Sequence, residues 1–175
     1  MKKFIPLLIL FGLLTLFGRE LLYASPTKFS SSMAGETINN FRLNNVLPSQ
    51  STFSKKDLIG RVSLLNIWAT WCYACTKEAA ILMQIKEKYH VPIYGIAYQD
   101  DPEEIKTWLK KYGNPYELIG DDRNGDVSLD LGIYGTPETF VISSKGRILY
   151  RHIGTLEQKD WEEVIYPLIK QHAKD

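Results

Sequence analysis

Cysteine is scarce in this chain of 175 residues, which contains only Cys72 and Cys75. A disulfide between residues three positions apart closes so short a loop that it would stabilise the fold by only about 2 kcal/mol. Histidine is also scarce, and His90, His152 and His172 have no paired spacing, whereas a structural zinc site needs four ligands. The two cysteines are therefore predicted to be reactive thiols, with no metal.

The chain also lacks an excess of either charge, with 21 basic and 20 acidic residues. Binding to nucleic acid depends on a basic patch that neutralises phosphates, so this balance does not support a nucleic-acid-binding function. Internal repeats and low-complexity tracts are missing as well. This ordinary composition favours one globular domain with short appendages.

Long apolar runs are absent except at residues 4–17, which follow Lys2 and Lys3. The length of this run fits the core of a signal peptide better than a full membrane span, which needs about 20 residues. No pair of small residues is well placed for signal cleavage. Residues 1–24 are therefore predicted to be an uncleaved membrane anchor, counted as a short tilted span, and a cleaved signal peptide is the alternative.

Both alternatives carry the rest of the chain out of the cytoplasm. Residues 25–36 are small and polar, which is typical of a linker, and residues 37–175 are predicted to be the folded domain. Within it, residues 62–68 and 91–98 are short continuous apolar runs, the pattern of strands that are buried on both faces of a sheet.

Helical and hairpin patterns alternate with these runs. Helices are predicted over residues 72–89, over residues 102–111 behind an Asp101 cap, and after a capping box at residues 155–158. Residues 138–143 and 147–152 are predicted to form an antiparallel hairpin, and residues 40–43 and 51–53 short strands. The chain is therefore predicted to be an α/β protein with a central mixed sheet flanked by helices.

Cys72 is predicted to lie at the amino terminus of the first of these helices. Free backbone N–H groups and the helix dipole favour negative charge there, so the pKa of the Cys72 thiol should be lowered. Cys75 lies one turn later, at the start of the buried stripe. We expect Cys72 to attack a partner and Cys75 to resolve the mixed disulfide, with transfer of two electrons.

The segment Trp68-Ala69-Thr70-Trp71-Cys72-Tyr73-Ala74-Cys75 resembles a thioredoxin-fold active site. Residues 132–140, together with residues 110–116, 129–132 and 150–154, are similar to the CcmG/DsbE family of membrane-anchored thiol:disulfide interchange proteins of cytochrome c maturation. The resemblance covers residues 35–170 and implies a thioredoxin-like fold.

The resemblance implies roles for residues around the cysteines. Pro137 would be a cis-proline that faces them, and Thr136 would offer its backbone to an extended substrate segment. Trp71 and Tyr73 flank the attacking thiol and are predicted to contact the substrate as well. An ordinary trans turn is the alternative for residues 136–137.

Glu78 and Glu138 match acidic positions of the family and are predicted to modulate thiol pKa or partner binding, although surface solvation explains Glu78 equally well. A carboxylate raises the pKa of a neighbouring thiol while the helix dipole lowers it. The chain departs from the family by having Tyr73 where proline usually follows the first cysteine. Asn66 occupies the place of the buried aspartate of thioredoxin, so the usual internal proton acceptor is missing.

The function implied by the resemblance is reduction of the Cys-x-x-Cys-His haem-attachment cysteines of apocytochrome c. The domain would face the periplasm from a single-pass anchor in the inner membrane, and a membrane electron donor of the DsbD/CcdA type would re-reduce it. No cofactor is expected beyond the redox-active disulfide Cys72–Cys75. A general envelope oxidant or isomerase is one alternative.

A copper-binding assembly module on the same fold is a second alternative. Such modules separate their cysteines by three residues and add a distant histidine, whereas two residues separate the cysteines here.

Residues 122–126 start like a calcium loop, but Val127 stands where a glycine is needed and Ile133 where a glutamate is needed. This segment is predicted to be a polar turn.

Overall fold

The computed structural model of the protein describes residues 11–13, 15, 17–19, 35–133 and 135–173. The described residues between 11 and 19 are helical. Across the described ranges, no helix combines the length and the hydrophobicity that a membrane crossing requires. Most of the predicted anchor and linker lies outside the described residues, so both stay predictions. The described residues from 35 to 173 belong to one compact unit.

Seven strands occur in the described residues: β1 (Arg42–Asn45), β2 (Thr52–Ser54), β3 (Ser63–Trp68), β4 (Ile93–Tyr98), β5 (Ile119–Asp122), β6 (Glu138–Ile142) and β7 (Ile148–Ile153). They form one sheet in the order β2-β1-β5-β4-β3-β6-β7. β3 pairs parallel with β4 and antiparallel with β6, and β6 pairs antiparallel with β7. The predicted mixed sheet is confirmed, and the fold is thioredoxin-like.

Four helices from the described residues 35–173 flank this sheet: α1 (Tyr73–Gln84, continued by a π-helical segment Ile85–Tyr89), α2 (Pro102–Tyr112), α3 (Asp126–Asp130), and α4, built from Gln158–Asp160, a π-helical segment Trp161–Ile165 and Tyr166–His172. A short 3-10 helix spans Lys55–Leu58. α1 and α2 confirm the predicted helices, and Asp101 caps α2 by accepting a hydrogen bond from the Glu103 backbone at 2.8 Å.

The predicted capping box at residues 155–158 is wrong. The helix begins at Gln158, its N-cap is Glu157, and the box joins Glu157 to Asp160. Thr155 lies between the end of β7 at Ile153 and this helix. The cap falls two residues later because the Glu157 backbone N–H donates to the Asp160 carboxylate at 3.1 Å. β5 and α3 were not predicted, since two adjacent acidic residues, Asp121 and Asp122, end a strand of only four residues.

β3 is buried along its whole length, as its apolar run predicts. On one face of the sheet, the Trp68 ring stacks on Tyr116, with 5.2 Å between centroids, and meets Trp108 at 4.7 Å. Gly95 leaves room for this cluster, because a Cβ at that position would lie 2.9 Å from Trp68 Nε1. The last residue of β3 is thus held firmly just before the cysteine segment.

Candidate active site

The two cysteines lie at the junction between β3 and α1. Cys72 is the N-cap residue of α1, and Cys75 lies in its first turn. Their sulfur atoms form a disulfide, with the Cα atoms 5.3 Å apart. The exposed fraction is 6% for Cys72 and 2% for Cys75. In the disulfide-bonded form both residues are therefore almost covered, and Cys72 is the more accessible of the two.

The surroundings of Cys72 favour negative charge on its sulfur. Its Sγ accepts a hydrogen bond from the Cys75 backbone N–H at 3.1 Å. This N–H is one of the free donors at a helix amino terminus, which is the positive end of the helix dipole. The same contact would stabilise a Cys72 thiolate in the reduced protein.

The predicted substrate loop reaches the same end of the sheet as the cysteines. Ile67, near the end of β3, is in register with Glu138 at the start of β6, so Pro137 and the cysteine segment lie at the same end of the sheet. The Thr136–Pro137 peptide bond is cis, which agrees with the geometry that the resemblance implies. Pro137 is buried and its carbonyl accepts from the Gly154 backbone at 2.9 Å, while Thr136 is half-buried.

Trp71 and Tyr73 lie on either side of Cys72 in the chain and are exposed, at 59% and 75%. Trp71 is held by its indole N–H, which donates to the Gln99 carbonyl at 3.2 Å. The Tyr73 ring is covered on one side by the Lys77 ammonium group, 4.7 Å from the ring centroid. These two aromatic side chains are available to a partner that approaches the disulfide.

Sequence reasoning missed a carboxylate that holds the turn before Cys72. Asp100 is buried and accepts from the Thr70 backbone N–H at 2.6 Å, from Thr70 Oγ1 at 2.8 Å and from the Asp101 backbone N–H at 2.8 Å. Together with the Gln99 carbonyl, it anchors both residues that precede Cys72. Its only signal in the sequence is its position at the end of a buried strand, next to a helix cap.

Glu78 is buried, with an exposed fraction of 1%, so solvation at the surface does not explain it. It lies one turn after Cys75 on the inner side of α1. Burial raises the pKa of its carboxyl to about 7, against the lowering effect of hydrogen bonds from the Leu156 backbone and the Asn66 side chain, each 2.9 Å long. This carboxyl therefore changes charge near neutral pH.

Asn66 joins Glu78 to two further buried side chains that sequence reasoning did not single out. Its amide nitrogen also donates to Thr139 Oγ1 at 3.0 Å, and its amide oxygen accepts from the Tyr116 hydroxyl at 2.8 Å. Asn66 thus does not itself titrate, but it carries hydrogen bonds between β3, β6 and the segment before β5.

Glu138 is also buried, but it is engaged differently. Its carboxylate receives a hydrogen bond from Arg151 Nε at 2.5 Å, and Arg151 also donates to the Gly132 carbonyl at 2.9 Å. The opposite charge of the guanidinium weakens the field of this carboxylate at other groups. Of the two predicted acidic residues, Glu78 is the one whose charge is not balanced by an ion pair in the described structure.

In the described part of the chain, no group of three or more histidine, cysteine, aspartate or glutamate side chains could hold a metal ion. Asp122, in the segment that starts like a calcium loop, instead accepts from the Ser128 backbone and hydroxyl, at 2.8 Å and 2.6 Å, and orders α3. His152 is half-buried against the Thr155 carbonyl.

Comparisons with known proteins show which family this chain belongs to. The Redoxin family model matches residues 33–165. The chain is 38% identical over 172 residues to the thiol:disulfide interchange protein DsbE of Vibrio cholerae, covering 96% of this chain and 93% of that protein. It is 41% identical over 152 residues to DsbE of Escherichia coli K12, covering 86% and 81%.

A solved structure with the same fold is that of a secreted thiol-disulfide isomerase from Corynebacterium glutamicum. The TM-score is 0.69 at 20% sequence identity, and the match covers 83% of this chain and 95% of that one. At this level of identity the likeness concerns the fold alone.

Proposed function

Because the chain belongs to the redoxin family and, within it, to the DsbE-type thiol:disulfide interchange proteins, we propose that it acts as a reductase in cytochrome c maturation. Its substrate would be the disulfide of the Cys-x-x-Cys-His haem-attachment segment of apocytochrome c. The domain would work in the periplasm, held by the predicted anchor at residues 1–24 in the inner membrane. A membrane electron donor of the DsbD/CcdA type would restore its dithiol.

The observation that carries the redox part of the proposal is the position of Cys72 at the N-cap of α1, with its sulfur accepting from the Cys75 N–H. A Cys72 thiolate would attack one sulfur of the substrate disulfide. A Cys72–substrate bond forms, the substrate disulfide breaks, and the leaving sulfur takes up a proton.

Cys75 would complete the reaction. Its thiol must lose a proton before its sulfur attacks Cys72, which releases the second substrate thiolate and leaves the Cys72–Cys75 disulfide. Two electrons have then moved to the substrate, which ends as a dithiol. Glu78, one turn after Cys75 and with a pKa of about 7, is suited to receive the Cys75 proton at neutral pH.

Substrate would be held by the surfaces around the disulfide. Trp71 and Tyr73 supply exposed aromatic area beside Cys72. Thr136 lies directly before the cis-proline at the same end of the sheet, where an extended peptide would pair with its backbone. Main-chain pairing tolerates many sequences, so the aromatic contacts would contribute most to the choice of substrate.

The direction of electron transfer separates this proposal from a general envelope oxidant. The reduction potential of the full-length protein, measured by equilibration with glutathione, should be far more negative than the about −120 mV of a strong oxidant. A value near that of the strong oxidants would refute the reductase assignment while leaving disulfide exchange intact.

Partner identity is tested by trapping. The Cys75→Ser variant of the full chain cannot resolve mixed disulfides, so substrates should accumulate on Cys72. Apocytochromes and assembly proteins are expected among the trapped partners, and the matched Cys72→Ser variant should trap none of them. If Cys75→Ser captures only unrelated envelope proteins, the haem-maturation role is wrong although the chemistry stands.

A further inference from the structure

The hydrogen bonds around Glu78 have a defined pattern of donors and acceptors. Both carboxylate oxygens accept, one from the Asn66 amide and one from the Leu156 backbone N–H, at 2.9 Å each. The Asn66 amide nitrogen uses its second hydrogen on Thr139 Oγ1, and its oxygen accepts from the Tyr116 hydroxyl. This arrangement suits an ionised carboxylate, which accepts hydrogen bonds and donates none.

Protonation of Glu78 disturbs the pattern, because the new O–H needs an acceptor. Leu156 offers this carboxyl only a donor. If the Asn66 amide turns over by half a rotation, its oxygen takes the place of its nitrogen and can accept from the Glu78 O–H. The Thr139 hydroxyl can follow, since it serves as donor or acceptor.

Turning the amide over also changes the bond to Tyr116. The Asn66 nitrogen then faces the Tyr116 oxygen, which must accept, and the phenolic O–H loses its present acceptor. Tyr116 is buried, and a buried donor without an acceptor is costly. The Tyr116 hydroxyl therefore opposes the arrangement that a protonated Glu78 requires.

We propose that Tyr116 is a positioning residue for the Glu78 carboxyl: its hydroxyl holds the Asn66 amide in the orientation that suits the ionised form, and protonation of Glu78 requires this amide to turn over. Tyr116, Asn66 and Glu78 thus form one proton switch beside the disulfide. The switch requires no assumption about the substrate.

The groups around the Glu78 carboxyl allow its ionisation to be measured apart from that of other groups. β3, β6 and the segment before α4 present the uncharged groups of Asn66, Thr139 and the Leu156 backbone. Tyr116 is an ionisable group on which the Glu78 charge acts, and on α1 itself the cysteine pair begins the helix one turn before Glu78. Burial and the Glu78 charge raise the pKa of Tyr116 well above its usual range, and the disulfide does not titrate.

The test is an NMR titration of the oxidised full-length protein with labelled glutamate carboxyl carbons and asparagine side-chain nitrogens; Glu78→Gln identifies the Glu78 signal. In the unaltered chain, the Asn66 amide signals should titrate with the Glu78 midpoint. Tyr116→Phe should raise the pKa of Glu78 by about 0.5 to 1 unit, because the hydroxyl no longer opposes the turned amide.

Tyr94→Phe is the matched control, since Tyr94 is a buried tyrosine in the hydrophobic cluster on the other face of the sheet; it should leave the pKa of Glu78 unchanged. An unchanged or lowered pKa in a folded Tyr116→Phe variant would overturn the proposal. Asn66 signals that do not follow Glu78 in the unaltered chain would overturn it too, even if Tyr116→Phe does not fold. Neither result bears on whether the protein reduces apocytochrome c.

Discussion

Replacing Glu78 with glutamine should change how the stability of the oxidised protein depends on pH. Burial raises the pKa of this carboxyl from 4.5 to about 7 in the folded chain, whereas in the unfolded chain the carboxyl is solvated and keeps its ordinary value. The folded protein therefore holds this proton more tightly than the unfolded protein does. Glutamine has a similar shape and does not titrate.

The sign follows from proton linkage. Between about pH 4.5 and pH 7 the folded state binds more protons than the unfolded state, so the free energy of unfolding falls as pH rises. The contribution of Glu78 is fully present below about pH 4.5 and is lost as pH rises through about 7. With 1.36 kcal/mol for each pKa unit, the loss between about pH 5 and about pH 8.5 is about 2.5 kcal/mol.

The assay is urea denaturation of the disulfide-bonded full-length protein and of Glu78→Gln across this pH range. Working with the disulfide removes the thiols from the titration, and the difference between the two proteins cancels the other carboxylates and histidines. The stability of the unaltered chain relative to Glu78→Gln should fall by about 2.5 kcal/mol from low to high pH.

A constant offset between the two proteins is compatible with the reasoning, because glutamine also rearranges the hydrogen bonds from Asn66 and Leu156. An equal pH dependence of the stability of both proteins would contradict the prediction. That result would mean that Glu78 ionises at its ordinary pKa, and the carboxyl would then be unsuited to receive the Cys75 proton at neutral pH.

Three further substitutions test the surroundings of the site by the same denaturation assay. Asp100→Ala should destabilise the protein by about 1 to 3 kcal/mol, because the half-buried N–H and hydroxyl donors of Thr70 lose their acceptor; a loss below about 0.5 kcal/mol would contradict this. Arg151→Met should cost about 3 to 5 kcal/mol by leaving the Glu138 charge buried alone, and adding Glu138→Gln should recover much of it. Gly95→Ala should cost about 1 to 3 kcal/mol by overpacking, since its Cβ would lie 2.9 Å from an indole nitrogen and 3.0 Å from a tyrosine ring.

Much of the fold was predictable because local sequence patterns indicate individual strands and helices. The apolar run that became β3 and the helical stripe that became α1 each report on one element, since burial repeats with the period of that element. The two cysteines between them therefore fell at a helix start without knowledge of any distant contact. Short and polar elements have no such pattern and were not predicted. The clearest case is β5, which ends in two aspartates.

The sequence by itself determined the chemistry: two thiols at a strand-to-helix junction, with a motif around Pro137 that resembles a known family. Only the tertiary structure decided which polar side chains surround them. Asp100 reaches Thr70 from 30 residues away, and Asn66 reaches Thr139 from 73 residues away. Such contacts depend on strand register and on which strands are neighbours in the sheet, and no local period carries that information. Glu78 likewise became a buried carboxyl with a raised pKa only because α1 turns it toward the sheet, where water is excluded.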